Sequence, residues 1–127
     1  MRVLDPKRQA LEEWRLGVRT RMLVSARNGA RALCMFEQFC DPGTGAPTHT
    51  HTVEEVLTVV AGTAEISLGD DRIELTAGQS VIIPDGQRHG FRNAGDTILH
   101  LQALLAAPIF ELVLDGSQET TRHWGPE

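Results

Sequence analysis

The sequence predicts an all-β single domain, a sandwich or barrel built from short strands. From about residue 55 the glycines recur every seven to nine residues, at Gly62, Gly69, Gly78, Gly86 and Gly95. Between them lie the β-prone runs EVLTVV, TAEISL, RIELT and SVIIP, and TILHLQALL follows. Asp and Gly in LGDD and PDGQ suit tight turns. Short strands at even spacing, with turn residues between them, are typical of β-sandwiches and barrels.

The N-terminal part of the chain predicts one short helix and two further strands. Residues 6–14 predict the helix, because Pro6 suits a first helical turn and apolar residues follow at helical spacing as far as Trp14. The run at 16–25 alternates, which places four apolar side chains on one face: Leu16, Val18, Met22 and Val24. Residues 32–40 predict another strand, which ends at the loop DPGTGAP.

Length, charge and hydropathy limit the possible functions. A chain of 127 residues fits one domain with a single core. We divide it into an N-terminal segment with the short helix (1–15), a β-barrel domain (16–114) and a C-terminal tail (115–127). The net charge of -5 and the scattered arginines disfavour a nucleic-acid partner. No apolar run resembles a signal peptide or a membrane span, so we expect a cytoplasmic protein without a membrane partner.

The two cysteines are predicted to be free thiols. Cys34 and Cys40 lie six positions apart in one predicted strand. An extended strand separates such residues by roughly 20 Å, whereas a disulfide needs Cα atoms within about 7 Å. Free thiols agree with a reducing compartment.

The stretch PTHTHTVEEV holds the candidate metal ligands. In a strand, His49 and His51 point to the same face, and Glu55 has the same parity. Two imidazoles and a carboxylate on one face are a ligand set for non-haem iron or manganese. Taken alone, a pair of histidines in a strand is more often a surface feature or a pair of hydrogen-bonded polar residues.

Two longer patterns strengthen the metal hypothesis. From Gly43 to Gly62 the sequence is G-x5-H-x-H-x3-E-x6-G, and from Gly78 to Asn93 it is G-x5-P-x-G-x2-H-x3-N. Together they resemble the two conserved motifs of the cupin superfamily, with every fixed position filled. The resemblance covers residues 43–93 by motif and about 16–114 by strand pattern. It implies a cupin double-stranded β-helix, a jelly-roll-like barrel, of the small single-domain metal-binding type.

The resemblance also implies roles for individual residues. The metal ligands would be His49, His51, Glu55 and His89, and the ion would be divalent, with iron or manganese favoured and zinc, nickel or copper as alternatives. Glu54 has the opposite parity and is expected to be exposed or to support the ligands. Asn93 is expected to cap the turn after its strand. His100 is interpreted as a surface or interface residue and His123 as solvent-exposed.

Strand parity predicts the wall of the substrate pocket. Cys34, Phe36, Gln38 and Cys40 share one face, Phe91 shares the parity of His89, and Leu99, Leu101 and Ala103 line the returning strand. The predicted pocket residues are Phe36, Gln38, Phe91 and Leu101. The predicted wall is mostly apolar, with Gln38 as its one neutral hydrogen-bonding group and no arginine or lysine among these positions. We therefore expect a compact small-molecule ligand that chelates through oxygen.

Three functions remain open from the sequence. The first is a metal-dependent oxygenase, a dioxygenase-like oxidoreductase acting on a small molecule. The second is a non-redox isomerase, cyclase or lyase in which the metal polarises a carbonyl. The third is a non-catalytic binding cupin with a structural metal. We also expect a homodimer, because the strands at LGVRTRMLV and APIFELVL could pair with a partner and cover exposed edges.

Overall fold

A computed structural model describes residues 1–126 of the chain, and most of them lie in β-strands. Two short 3-10 turns lie at Pro6–Arg8 and Ala26–Asn28. Within residues 1–126 the strands are β1 Leu11–Arg15, β2 Val18–Val24, β3 Cys34–Cys40, β4 Gly45–Thr50, β5 Glu55–Ala61, β6 Thr63–Leu68, β7 Asp71–Thr76, β8 Ser80–Ile83, β9 His89–Asn93, β10 Leu99–Leu105, β11 Phe110–Leu114 and β12 Thr121–His123.

The strands form two antiparallel sheets that enclose one core. Sheet A has the order β1-β2-β3-β10-β5-β8, and sheet B has the order β12-β11-β4-β9-β6-β7. Consecutive strands such as β4 and β5 lie in different sheets, so the chain crosses between the sheets repeatedly, as in a jelly roll. The predicted all-β barrel is confirmed.

Strict alternation of side chains builds the core. In β3 and β10 every second residue is buried, so one face of each strand packs inwards. The largest fully buried apolar side chains include Ile66, Ile83, Leu99, Leu101 and Leu105. Burial of each such side chain contributes about 1.5–3 kcal/mol. Cys34 and Cys40 lie on the buried face of β3 as free thiols, as predicted.

The predicted helix at residues 6–14 is wrong. Only Pro6–Arg8 forms a turn, capped by the side chain of Asp5, and β1 then pairs with β2. An isolated helix of this length is marginal in water. Pairing with β2 satisfies the backbone of β1 and allows Trp14 to pack against the aromatic side chains of Phe36 and Phe110. The strand pairing and the aromatic packing together outweigh the helical spacing of the sequence.

The alternation predicted for residues 16–25 is only partly correct. Gly17 occupies a turn with φ of +80°, so β2 begins at Val18 and Leu16 is exposed. Val18 and Met22 face the core as expected. A register shift between Met22 and Val24 then turns Val24 to the outer face, opposite Met35.

The C-terminal residues add a strand to sheet B. β12 pairs with β11 in the register Phe110↔His123. His123 was predicted to be solvent-exposed, but it is only half-exposed and its ring stacks on Trp14 at a centroid distance of 4.3 Å. Trp124 is buried. Among residues 1–126, no helix has the length and apolar character needed to cross a membrane.

Candidate metal centre

Four side chains, three from strands and one from the segment directly after β4, meet at one place inside the barrel. His49 lies in β4, His51 follows that strand, Glu55 begins β5 and His89 begins β9. β4 and β9 are neighbours, and His49 lies directly opposite His89. The two strands approach closely because Gly90 has no side chain, since a Cβ there would lie 2.7 Å from the Ala46 carbonyl oxygen.

The four side chains are close enough to share one ion. One potential ligand atom from each lies within 4.8 Å of the others. All four residues are buried, with Glu55 and His89 each only 2% exposed. The fold therefore brings together the four residues that the two sequence motifs predict.

Main-chain carbonyls fix the tautomer and the orientation of each imidazole. Nδ1 of His49 lies 2.6 Å from the Pro47 oxygen, and Nδ1 of His89 lies 2.7 Å from the Gln87 oxygen. Nδ1 of His51 lies 2.7 Å from the Glu111 oxygen. A carbonyl oxygen can only accept, so each Nδ1 carries the hydrogen. In the neutral ring, Nε2 then has a lone pair, as a metal ligand requires.

The Nε2 atoms at the centre of the cluster face a carboxylate instead of a hydrogen-bond donor. Nε2 of His51 is buried, has no hydrogen-bond partner among residues 1–126, and lies 3.5 Å from Oε1 of Glu55. Nε2 of His89 lies 3.0 Å from the same oxygen. A lone pair facing a carboxylate is repulsive unless a proton or a cation lies between them. A divalent cation would satisfy these atoms, so the residues fit a metal ion.

The pKa values agree with this charge arrangement. Burial lowers the pKa of His49 to about 4, and the neighbouring His89 adds to the effect. Burial acts to raise the pKa of Glu55, but His51 and His89 outweigh it and bring the pKa down to about 2. Burial acts to lower the pKa of His51, but Glu55 outweighs it and the pKa is raised. At neutral pH the centre therefore holds a buried carboxylate that attracts positive charge.

A cavity opens from this centre through the barrel. The empty space among its side chains, mouth included, is about 470 Å³. The centre of a water molecule can move through only about 30 Å³ of it. A ring-sized ligand must therefore displace side chains of the wall as it enters. Trp14, which is only half-buried, is one of these side chains.

The predicted pocket residues lie where the strand parity placed them. Phe36, Gln38, Phe91 and Leu101 all line the cavity. Cys34, Cys40, Leu99 and Ala103 share their inward face but pack into the core. The predicted wall positions contain no arginine or lysine, but Arg15, which was not among them, also lines the cavity, together with Trp14. Both residues lie outside the predicted wall, because Trp14 was assigned to a helix and Arg15 to the N-terminal segment that precedes the barrel domain.

Three further predictions concern residues around the centre. Glu54 is exposed and directly precedes β5. Asn93 caps its turn as predicted, since its Oδ1 accepts from the Gly95 amide at 2.9 Å. Its Nδ2 also donates to the Cys40 carbonyl, which ties β9 to β3. His100 lies away from the cluster, on the outer side of β10, where its Nε2 is 2.8 Å from Glu37.

Comparisons with known proteins agree with the fold and the motifs. The sequence profile of the family described as "Cupin domain" matches residues 36–106. Polyketide synthase CurC of Streptomyces cyaneus is 33% identical over 112 residues, which span 84% of this chain and 73% of that protein. Protein SchB of Streptomyces halstedii is 35% identical over 92 residues, 68% of this chain and 67% of that protein.

Solved structures share the architecture. The polyketide cyclase RemF from Streptomyces resistomycificus superposes with a TM-score of 0.73 at 22% identity, covering 83% of this chain and 78% of that one. An identity this low supports the fold alone. The matching family profile and the curated relatives, together with the motifs and the barrel, show that this chain belongs to the cupin family.

Proposed function

We propose that this protein is a metal-dependent cyclase that closes a ring in a polyketide-like molecule without redox chemistry. The observation that carries the proposal is the position of the four-residue cluster at the side of an apolar and aromatic cavity. Such a cavity suits an oxygen-rich carbon skeleton that chelates at one point and packs elsewhere. The relative named as a polyketide synthase and the neighbour named as a polyketide cyclase support ring closure over oxygenation.

The donor set determines which group the centre would hold. His49, His51, His89 and Glu55 would bind a divalent ion, which would act as a Lewis acid on a ligand carbonyl. Iron, manganese and zinc each accept imidazole and carboxylate ligands. The Nδ1 hydrogen bonds to the backbone hold the rings in place, so the inner nitrogens are positioned before any ligand arrives.

Other residues of the cavity would orient the substrate. Nε2 of Gln38 donates to the Thr20 hydroxyl at 2.9 Å, which fixes the amide. Its carbonyl oxygen remains available to accept from a substrate hydroxyl. Phe36, Phe91 and Leu101 exclude water from the folded chain of the substrate. An intramolecular aldol condensation in this setting forms one carbon–carbon bond and releases one water, and it needs no oxidant.

Product mass and oxygen consumption test the proposal. Protein loaded separately with zinc, manganese or iron is incubated with a synthetic linear poly-β-ketone, in air and under argon. We expect a cyclic product lighter than the substrate by one water, formed equally in both atmospheres. His89→Ala should abolish formation of the cyclic product, and His100→Ala, outside the cavity, should retain it.

The same experiment decides between the cyclase and the oxygenase. Oxygen consumption that depends on substrate, with oxygen atoms in the product and no reaction under argon, would replace the proposal with oxygenase chemistry. Absence of any product with every metal, despite full metal loading, would favour a binding protein. The donor set alone suits either type of chemistry.

A further inference from the structure

A polar group lies in the cavity wall apart from the histidine cluster. The register of β1 against β2 shifts between Glu13 and Arg15, which marks a β-bulge. A bulge breaks the alternation of side chains, so the consecutive residues Trp14 and Arg15 both line the cavity. Regular alternation would have turned one of them away.

Arg15 differs from the other arginines within the strands. It is half-buried, its Nη1 donates to the Gly45 carbonyl at 3.0 Å, and it has no carboxylate partner among residues 1–126. Each other arginine within a strand has an ion pair with Asp or Glu: Arg19, Arg21, Arg72, Arg92 and Arg122. Burial lowers the pKa of Arg15, but a guanidinium stays protonated at neutral pH. A partly buried cation without a counter-charge is costly, and an anion in the cavity would offset that cost.

The strand geometry gives the spacing of the two backbone positions that lie beside this cation and the histidine cluster. Arg15 is bound to Gly45, and His49 lies four residues further along β4. The rise of a strand places these two positions about 10–13 Å apart, the lower value allowing for the irregular register of β4. This span is close to the length of a naphthalene or anthracene skeleton with its substituents.

We propose that Arg15 binds an anionic oxygen of the ligand, a carboxylate, enolate or phenolate, at the end of the cavity away from the histidines. The inference rests on the proposed function and specifies its substrate class. The substrate is an elongated polyketide-like molecule with chelating oxygens at one end and an acidic oxygen at the other. Arg15 is then a positioning residue that selects acidic over neutral ligands.

Equilibrium binding of two matched probes tests this assignment. The probes are 6,7-dihydroxy-2-naphthoate and the neutral 2,3-dihydroxynaphthalene, which differ only in the carboxylate. Zinc-loaded protein is titrated with each, and binding is followed by tryptophan fluorescence, since Trp14 lines the cavity. We expect at least about 10-fold tighter binding of the carboxylate, the effect of one charge-assisted hydrogen bond. Arg15→Gln should remove this preference and leave the affinity for the neutral probe unchanged.

Two further variants complete the test. Arg15→Lys, which keeps the charge, should restore part of the preference, and Arg19→Gln, which removes an arginine paired with Asp41 on the outer face, should retain all of it. A carboxylate preference that persists in Arg15→Gln overturns the assignment and leaves Arg15 a structural link to Gly45. Failure of both probes to bind also overturns it. These outcomes concern binding alone, so they are distinct from failure of ring closure with the poly-β-ketone.

Discussion

The three histidines of the centre are oriented by their own backbone surroundings. For His49 and His89 the accepting carbonyl lies two residues earlier in the chain, at Pro47 and Gln87. The same local geometry thus recurs in both motifs. His51 depends instead on Glu111, 60 residues away in β11. The sequence motif can encode the first two orientations locally, whereas the third requires the complete barrel.

Replacement of one histidine should remove the metal. His89→Ala deletes one of the four proposed ligands, and we expect the apparent metal affinity to fall by more than the roughly 10- to 100-fold that loss of an outer hydrogen bond costs. At a metal concentration 100-fold above Kd, bound metal stabilises the native state by about 2.7 kcal/mol. The wild-type Tm should therefore fall by several degrees when the metal is removed, and that of His89→Ala should not.

Metal content after dialysis and thermal unfolding with and without chelator measure both effects. His100→Ala is the matched control, because His100 pairs with Glu37 on the outer side of β10. Full metal occupancy in His89→Ala would contradict the four-ligand centre.

The cysteines should be inert towards thiol reagents in the folded protein. Burial raises the pKa of Cys34 to about 12, with Glu55 adding to the effect, and burial raises the pKa of Cys40 to about 11. The reactive thiolate is therefore scarce at pH 8, and the folded barrel also blocks access. Labelling with a disulfide reagent should be slower than in denatured protein by roughly two orders of magnitude or more. Rapid labelling of the native protein would show that β3 opens.

The terminal strands β1 and β12 together complete an aromatic cluster beside the cavity. We use this name for the rings of Trp14, Phe36, Phe110, His123 and Trp124. The ring centroids of each contacting pair are no more than 6.0 Å apart. Trp124 has φ of +67°, a conformation that is unfavourable for a residue with a bulky side chain. Its burial against Trp14, Phe36 and Phe110 offsets that cost.

Truncation of Trp124 should therefore destabilise the protein strongly. Trp124 is 5% exposed, and Trp124→Ala should lower the free energy of unfolding by about 3–5 kcal/mol. Leu16→Ala is the control, because Leu16 is 87% exposed in the turn before β2 and its loss should cost less than about 0.5 kcal/mol. Urea denaturation measures both values. Similar stability of the two variants would show that the aromatic cluster contributes little.

Elements in which the local signals of the sequence agree are predicted correctly, and elements that depend on tertiary contacts are not. The regular glycines and alternating strands of residues 55–105 predicted their strands, and the two motifs predicted the four clustered residues. The helical spacing of residues 6–14 is outweighed by pairing with β2, which no local pattern reveals. The bulge that turns Arg15 into the cavity depends on the same pairing. Trp124 lies in a polar tail whose burial depends on Trp14, at the other end of the chain.

The whole molecule has an apolar row across the outer face of sheet A. The register aligns Val24 with Met35, Met35 with Leu104, Leu104 with Val56, and Val56 with Ile82. The row crosses five strands and so extends roughly 19 Å. Ile82 is 64% exposed. The strands first expected to pair with a partner, β2 and β11, instead have neighbours on both sides, so this face is the better candidate for an interface.

We predict a homodimer in which this row packs against itself about a twofold axis. Isologous packing buries the row on both subunits at once, and Leu104 lies at its centre. Leu104→Lys places two buried charges at the axis and should weaken the dimer by roughly 100-fold or more. Ile98→Lys changes an exposed isoleucine outside the row and should leave the dimer intact. Light scattering across micromolar concentrations measures the mass. A monomeric wild-type protein would refute the dimer, and a Leu104→Lys dimer of unchanged strength would place the interface elsewhere.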